Sequence, residues 1–209
     1  MFSLQTIFGR KDKIFELLKD SSAAALEAAQ AADQLTREGD RAQVMATFRA
    51  ARKREKELAA LISEELVNTF VTVLDREDIE EMNSALYKIP KSIEKFAERY
   101  VLVSERLQGV KFSGRTELLV ACTQTVAEMV VELQKGLHIE SIRKLQDHLQ
   151  ALEAEADRLL LEPYRDFYIN SKDPTQAFLA KDLFEILEKC IDKCRDVGNV
   201  IYGIVLKNS

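Results

Sequence analysis

An apolar stripe near the middle of the chain is the feature that most restricts its fold. Apolar side chains recur there every three or four positions: Ile79, Met82, Leu86, Ile89, Ile93, Phe96, Tyr100, Val103 and Leu107. An α-helix completes a turn every 3.6 residues, so this spacing places them all on one face of a long helix. Such a face must be covered by other helices, and the stripe therefore predicts a helical bundle.

The rest of the chain repeats this period. Further stripes begin near Ile14, Val44, Leu118, Ile142 and Leu183, and each is followed by a short break. Only 3 Pro and 7 Gly occur in 209 residues, which leaves few positions where a long helix has to end. We therefore expect an all-α fold of six long, antiparallel helices.

Individual residues predict where these helices begin, bend or end. Asp75 is expected to cap the third helix, and Asp173 the sixth, where Gln176 can complete a capping box. Pro90 predicts a kink or a missing backbone hydrogen bond within the third helix, and Pro163 a bend or break within the fifth.

A glycine-flanked break divides the chain into two parts of similar organisation. Gly109 and Gly114 bound this break, which separates residues 1–109 from residues 110–209. In both parts a helix is followed by a longer helix, a capped turn and a final helix with a regular apolar stripe. This order predicts two three-helix halves that arose by internal duplication.

Charge and cysteine content restrict the class of protein. The formal net charge is -5, from 30 basic and 35 acidic residues, so no overall positive field would attract nucleic acid. The odd cysteine count (Cys122, Cys190 and Cys194) does not suggest a disulfide framework. No run of apolar residues is long enough to span a bilayer. We therefore expect a cytoplasmic protein that does not bind nucleic acid.

The N-terminal segment leaves two interpretations open. Phe2, Leu4, Ile7 and Phe8 precede basic residues, a pattern that fits either a segment docked on the bundle or a small anchor at the membrane surface.

Carboxylates in the second half are spaced to gather between two helices. Glu153 and Asp157 are four residues apart, as are Asp192 and Asp196, with Glu188 one turn earlier. Like charges at close range repel unless a cation neutralises them, so these residues predict a metal site. The alternative is an ordinary solvated face.

A basic cluster in the second helix also has two interpretations. Arg49, Arg52, Lys53, Arg54 and Lys56 alternate with acidic residues, which favours a solvated face of ion pairs and leaves a local site for an anion or acidic partner open.

The sequence contains no recognisable motif for catalysis. The sequence has no nucleophile elbow and no glycine-rich phosphate loop. Neither His138 nor His148 has the preceding glutamate of a di-iron bundle, and Cys190 and Cys194 lie on a core stripe. We therefore expect no enzymatic activity.

Four stretches of the chain are distinctive in combination: Phe70–Ile79, Leu152–Asp157, Ile191–Ile201 and Gly203–Asn208. Together they resemble the PhoU-related family of phosphate-transport accessory proteins, in the branch associated with Pit-type phosphate transporters. The resemblance extends over nearly the whole chain and implies a pair of three-helix bundles. It also implies a regulatory or accessory role in phosphate transport or homeostasis, with a Pit-type transporter or another membrane or signalling partner. The chain would then work in the cytoplasm or at the inner face of the membrane, and its long exposed helices suggest a homo-oligomer. A metal-free helical adaptor is the alternative.

The resemblance assigns a metal site to the second half only. Family members carry Glu/Asp-x-x-x-Asp pairs that bind metal clusters, and Glu153, Asp157, Asp192 and Asp196 match that pattern, with Glu188 beside them. The implied ion is iron or zinc, with magnesium or calcium as alternatives.

The first half departs from the family pattern. The positions of its acidic pairs are held by Arg52 and Lys56 in the second helix and by Tyr87 and Lys91 in the third. Protonated lysine and arginine cannot ligate a metal ion. We therefore expect Arg52, Lys56 and Lys91 either to be held in ion pairs or to contact an anion or a partner.

Overall fold

The computed structural model describes residues 4–38, 41–69, 71–170 and 173–208, and the side chains of residues 13–37, 43–69, 71–159 and 173–208. The apolar side chains of the N-terminal segment, from Phe2 to Phe8, lie outside this part, so its two interpretations stay predictions.

Six α-helices make up most of the described chain. They are α1 (Leu4–Glu38), α2 (Arg41–Asn68), α3 (Arg76–Val103), α4 (Ser113–Lys135), α5 (Ile139–Asn170) and α6 (Pro174–Lys207), and a 3₁₀ turn (Ser104–Arg106) follows α3. Residues 4–38, 41–69, 71–170 and 173–208 contain no β-strand. The all-α prediction is confirmed.

The helices form two bundles of three. α1, α2 and α3 pack on one another, and so do α4, α5 and α6. The two bundles meet where α1 lies against α4 and α3 lies against α6. Equivalent helices therefore form the contact between the halves, as a duplicated chain would produce. The division between residues 109 and 110 stays a prediction.

The predicted apolar stripes form the core. Every residue of the α6 stripe is at most 3% exposed: Leu183, Leu187, Cys190, Cys194, Val197, Ile201 and Ile204. The α3 stripe is buried from Ile79 to Phe96, and Leu107 completes it beyond the end of the helix. In α1 small residues take this place, since Ala24, Ala25, Ala28, Ala29, Ala31 and Ala32 are all buried. Short side chains let α1 lie close to α2, α3 and α4 together.

The two predicted N-cap residues, Asp75 and Asp173, make different contacts in the structure. Asp75 stands before α3 but its side chain makes no capping hydrogen bond, because the carboxylate instead accepts from Lys207 Nζ at the end of α6. Asp173 does cap α6, accepting from the backbone N–H of Thr175 and Gln176. The side-chain amide of Gln176 donates to the carbonyls of Arg106 and Gln108, and the capping box stays a prediction.

The two prolines do not end their helices. Pro90 lies inside α3, which continues to Val103, and the missing N–H leaves the carbonyl of Leu86 without its usual helical donor. Pro163 lies inside α5, which continues to Asn170. Helix α5 therefore does not break at Pro163, and the bend, which was the other predicted outcome, stays a prediction. Packing of a long helix against its neighbours compensates for a single lost hydrogen bond.

Four aromatic rings join the two halves. Phe112, from the link between α3 and α4, lies 6.2 Å from Phe96 and 5.3 Å from Tyr100, measured between ring centroids. Its ring centroid is 4.9 Å from that of Phe184 on α6. Aromatic pairs at these distances stabilise a contact beyond the area that they bury. The link between the halves is thus part of the core.

Gly198 of α6 lies in close contact with α5, and this contact tests the packing. A Cβ atom at this position would lie 2.6 Å from both Gln146 Oε1 and Leu149 Cδ2. We expect Gly198→Val to lower the free energy of unfolding by about 1–3 kcal/mol, because the added methyl groups must displace both side chains. Urea unfolding followed by circular dichroism measures the difference.

Gly203→Val is the matched control, since Gly203 is in the same helix and has nothing within 4 Å of an added Cβ. Its unfolding free energy should be close to that of the wild type. An equal loss in both variants would contradict a specific contact at Gly198.

Candidate functional site

The predicted metal-ligating carboxylates lie on two helices that pack together. Asp157 belongs to α5, and Glu188 and Asp192 belong to α6. Partial burial raises the pKa of Glu188, and the negative charges of Asp192 and Asp157 raise it further. These three side chains therefore share one acidic region, which we call the acidic face.

The other two predicted ligands are engaged in ion pairs. Glu153 accepts a hydrogen bond from Arg195 Nη1 on α6, and only 16% of its side chain is exposed. Asp196 accepts from Lys193 Nζ at 2.7 Å. Both carboxylates are thus neutralised by cations of the chain itself.

The acidic face does not form a complete metal site as it stands. Among the residues whose side chains are described, no group of three or more His, Cys, Asp or Glu is arranged to hold a metal ion. The donors are all carboxylates, which suit hard cations, but Arg195 and Lys193 compete for two of them. Metal binding stays a prediction.

In the first half, the structure brings the predicted basic residues together around a tyrosine. Arg52 on α2 donates from Nε to Glu94 Oε2 at 3.2 Å and from Nη2 to the Tyr87 hydroxyl at 3.1 Å, both on α3. Its guanidinium carbon also lies 4.7 Å from the centroid of the Tyr87 ring. Arg52 is therefore held by a charge pair and by a cation–π contact.

Lys56 and Lys91 stand beside this tyrosine. The hydrogen bond from Arg52 and its charge lower the pKa of Tyr87, and the charges of Lys91 and Lys56 lower it further. Both lysines are exposed, so α2 and α3 present Arg52, Lys56, Tyr87 and Lys91 together. We call these four residues the basic face.

One carboxylate beneath the basic face differs from the expectation of a solvated face. Glu55 is one of the acidic residues that alternate with the basic cluster of α2, but its side chain is fully buried. Oε1 accepts from Ser21 Oγ of α1 at 2.8 Å, while Oε2 has no hydrogen-bond partner among the described residues. Burial raises the pKa of Glu55, against the lowering effects of Ser21 and of the Arg52 and Arg54 charges. The signal was present, because Glu55 lies on the buried stripe between Ala51 and Leu58.

The two histidines lie at the surface and the three cysteines lie in the core. His138 and His148 are exposed, and the three cysteines are free and buried. Burial raises the pKa of Cys122 and of Cys190 to about 12, so both are thiols at neutral pH.

No described helix is long and apolar enough to cross a membrane.

Solved structures share this arrangement of helices. The chain matches the crystal structure of a PhoU-like protein from Shewanella oneidensis MR-1 with a TM-score of 0.81 and 16% sequence identity, over 92% of this chain and 99% of that one. It matches PhoU from Pseudomonas aeruginosa with a TM-score of 0.69 and 12% identity, over 97% and 100% of the two chains. This chain has the PhoU-like fold. The family resemblance seen in the sequence is confirmed at the level of the fold.

Sequence relatives agree with the fold. A protein of Rhizobium meliloti (strain 1021), provisionally named a pit accessory protein, is 22% identical over 95% of each chain. The UPF0111 protein YkaA of Bacillus subtilis (strain 168) is 26% identical over 69% of this chain and 70% of its own length. No protein-family model matches the sequence.

Glu55 gives a pH-dependent prediction. Because its folded pKa is raised, the stability that its proton contributes is complete below the unfolded pKa and is lost as the pH rises through the folded one. Glu55→Gln keeps a neutral side chain at every pH. We expect it to be about 1 kcal/mol more stable than the wild type near pH 8, with the difference shrinking towards pH 4. Urea titrations across this range measure it.

Glu57→Gln provides the control, since the Glu57 side chain is 62% exposed on the same helix. It should change stability little at any pH in the range. If Glu55→Gln were no more stable than the wild type at the alkaline end, the assigned cost of burying this carboxylate would be wrong.

Proposed function

We propose that this protein is a non-enzymatic accessory protein of phosphate transport or homeostasis that acts by binding a transporter or a signalling partner. The observation that carries the proposal is the PhoU-like fold, shared over 92% of the chain with a PhoU-like protein. The relative provisionally named a pit accessory protein, alike over 95% of its length, supports a Pit-type transporter as that partner.

The surface chemistry favours binding over catalysis. Both candidate sites are charged faces formed by neighbouring helices, with their ion pairs already made. The cysteines, which would be the strongest nucleophiles, are buried thiols. A protein that works through such faces recognises partners or ions, and its place would be the cytoplasm, at the inner face of the membrane. Its long helices provide surface for self-association as a homo-oligomer.

Phosphate uptake in the native host tests the proposed function. Deleting the gene should change the initial rate of radioactive phosphate uptake or the phosphate-starvation response, and the wild-type gene should restore it. The same deletion in a strain that lacks the partner transporter should have no further effect on uptake. Uptake and starvation response equal to those of the parent strain would contradict the proposal.

The proposed function includes a metal ion bound at the acidic face. Asp157, Glu188 and Asp192 are the residues that would hold it, and a hard cation would relieve their mutual repulsion. The competing function is a metal-free helical adaptor. The pairing of Glu153 with Arg195 and of Asp196 with Lys193 favours this second possibility.

Elemental analysis of protein purified without chelator or affinity-tag metal separates the two possibilities. Metal binding predicts iron, zinc or another ion in the wild type, and its loss when Asp157 and Asp192 are changed to Asn and Glu188 to Gln. The exposed residues Asp147 and Glu155, changed to Asn and Gln, provide the control, which should keep the metal. Protein that remains metal-free after micromolar additions would rule out the site and leave the adaptor.

A further inference from the structure

The hydroxyl of Tyr87 has a hydrogen that it can still donate. Its oxygen accepts from Arg52 Nη2 at 3.1 Å, so the phenolic hydrogen needs an acceptor of its own. No side chain or backbone acceptor within the described residues takes this hydrogen. Arg52 also lowers the pKa of Tyr87, which makes the hydroxyl a stronger donor towards the solvent side.

The packing of α2 on α3 brings two lysines to this hydroxyl. The two helices run antiparallel, and Asn83 Nδ2 donates to the carbonyl of Ala59 at 3.1 Å, which fixes their register. Continuing along both helices places Lys56 level with Tyr87. Lys91 is one turn away on α3, about 6 Å along the axis. Two ammonium groups and one hydroxyl donor therefore surround the same patch of surface.

The positive charge of this patch is not balanced within the described structure. Neither Lys56 nor Lys91 has a carboxylate within 4 Å among the described side chains, whereas Glu94 is paired with Arg52. At the surface three cations then face one carboxylate, Glu94, with the buried Glu55 beneath them, although the chain as a whole carries a net charge of -5. Such a local excess of positive charge attracts an anion.

We infer that Lys56, Lys91 and the Tyr87 hydroxyl form a three-point binding site for a phosphoryl oxyanion, with Arg52 as the residue that positions Tyr87. A phosphoryl group offers three terminal oxygens to three donors, and its negative charge is opposite in sign to that of the patch. Arg52 contributes charge from behind the ring, because only 15% of its side chain is exposed. This inference rests on the proposed role in phosphate homeostasis, and the ion is either free orthophosphate or a condensed phosphate such as pyrophosphate.

Glu94 sets the strength of this site. Its carboxylate cancels part of the Arg52 charge at 3.2 Å and repels an incoming anion. Glu94→Gln retains an oxygen that accepts from Arg52 Nε but removes the negative charge. This variant should bind the anion more tightly than the wild type, in contrast to every change at the donors.

Calorimetric titration of the full chain with orthophosphate and with pyrophosphate, near physiological salt, tests the site. We expect saturable binding of at least one of the two, and the tighter ligand identifies the source of the phosphoryl group. The double variant Lys56→Gln/Lys91→Gln should bind about tenfold or more weakly, since two charge-assisted hydrogen bonds are lost. Tyr87→Phe, which keeps the ring that Arg52 covers, should weaken binding by about threefold to tenfold.

Lys53→Gln/Lys88→Gln is the matched control, because it removes the same charge from exposed positions on the same two helices. It should bind as the wild type does, and far-ultraviolet circular dichroism should show that all variants are folded. Absence of saturable binding of both anions up to about 10 mM, or an equal loss in the control, would overturn the site. A phosphate-uptake phenotype without anion binding would remove this inference and leave the proposed function standing.

Discussion

The arrangement of the whole molecule depends on the aromatic contact between its halves. Phe112 stands in the link that leads from α3 to α4, and its ring is packed between Tyr100 of α3 and Phe184 of α6. The link therefore cannot move without opening the core, and α3 is held against α6. At the opposite end, Lys207 of α6 pairs with Asp75 and Asp78 at the start of α3. These contacts leave the outer surfaces of α2 with α3, and of α5 with α6, available for recognition.

Most of the fold could be predicted from the sequence, because helical periodicity is a local property that burial then enforces. The α6 stripe is an example, since every predicted member is buried. Contacts between distant residues had no such signal. Asp75 has the right type and place for a cap, but Lys207 lies far along the chain and takes its carboxylate. The side-chain amide of Gln176 likewise donates to two carbonyls between α3 and α4, those of Arg106 and Gln108.

The candidate sites were less predictable than the fold, for a related reason. Spacing along a helix shows which charges share a face, but not which opposite charge the neighbouring helix presents. No local spacing predicts that Glu153 pairs with Arg195, and that pair changes how the acidic face is interpreted. For Glu55, by contrast, the position on the α2 stripe indicates burial. Its charge favoured a surface position, and that interpretation was wrong. A carboxylate on a core stripe is better treated as a candidate buried group than as surface.

The duplicated architecture explains how one chain can carry two faces of opposite charge. Aligning Leu86 of α3 with Ile191 of α6 puts Tyr87 at the position of Asp192, and Lys91 at that of Asp196. In both halves the two helices are bridged by an arginine and a glutamate, Arg52 with Glu94 and Arg195 with Glu153. The helical frame is therefore kept while the sign of the charge is reversed, so that the acidic face of one half corresponds to the basic face of the other.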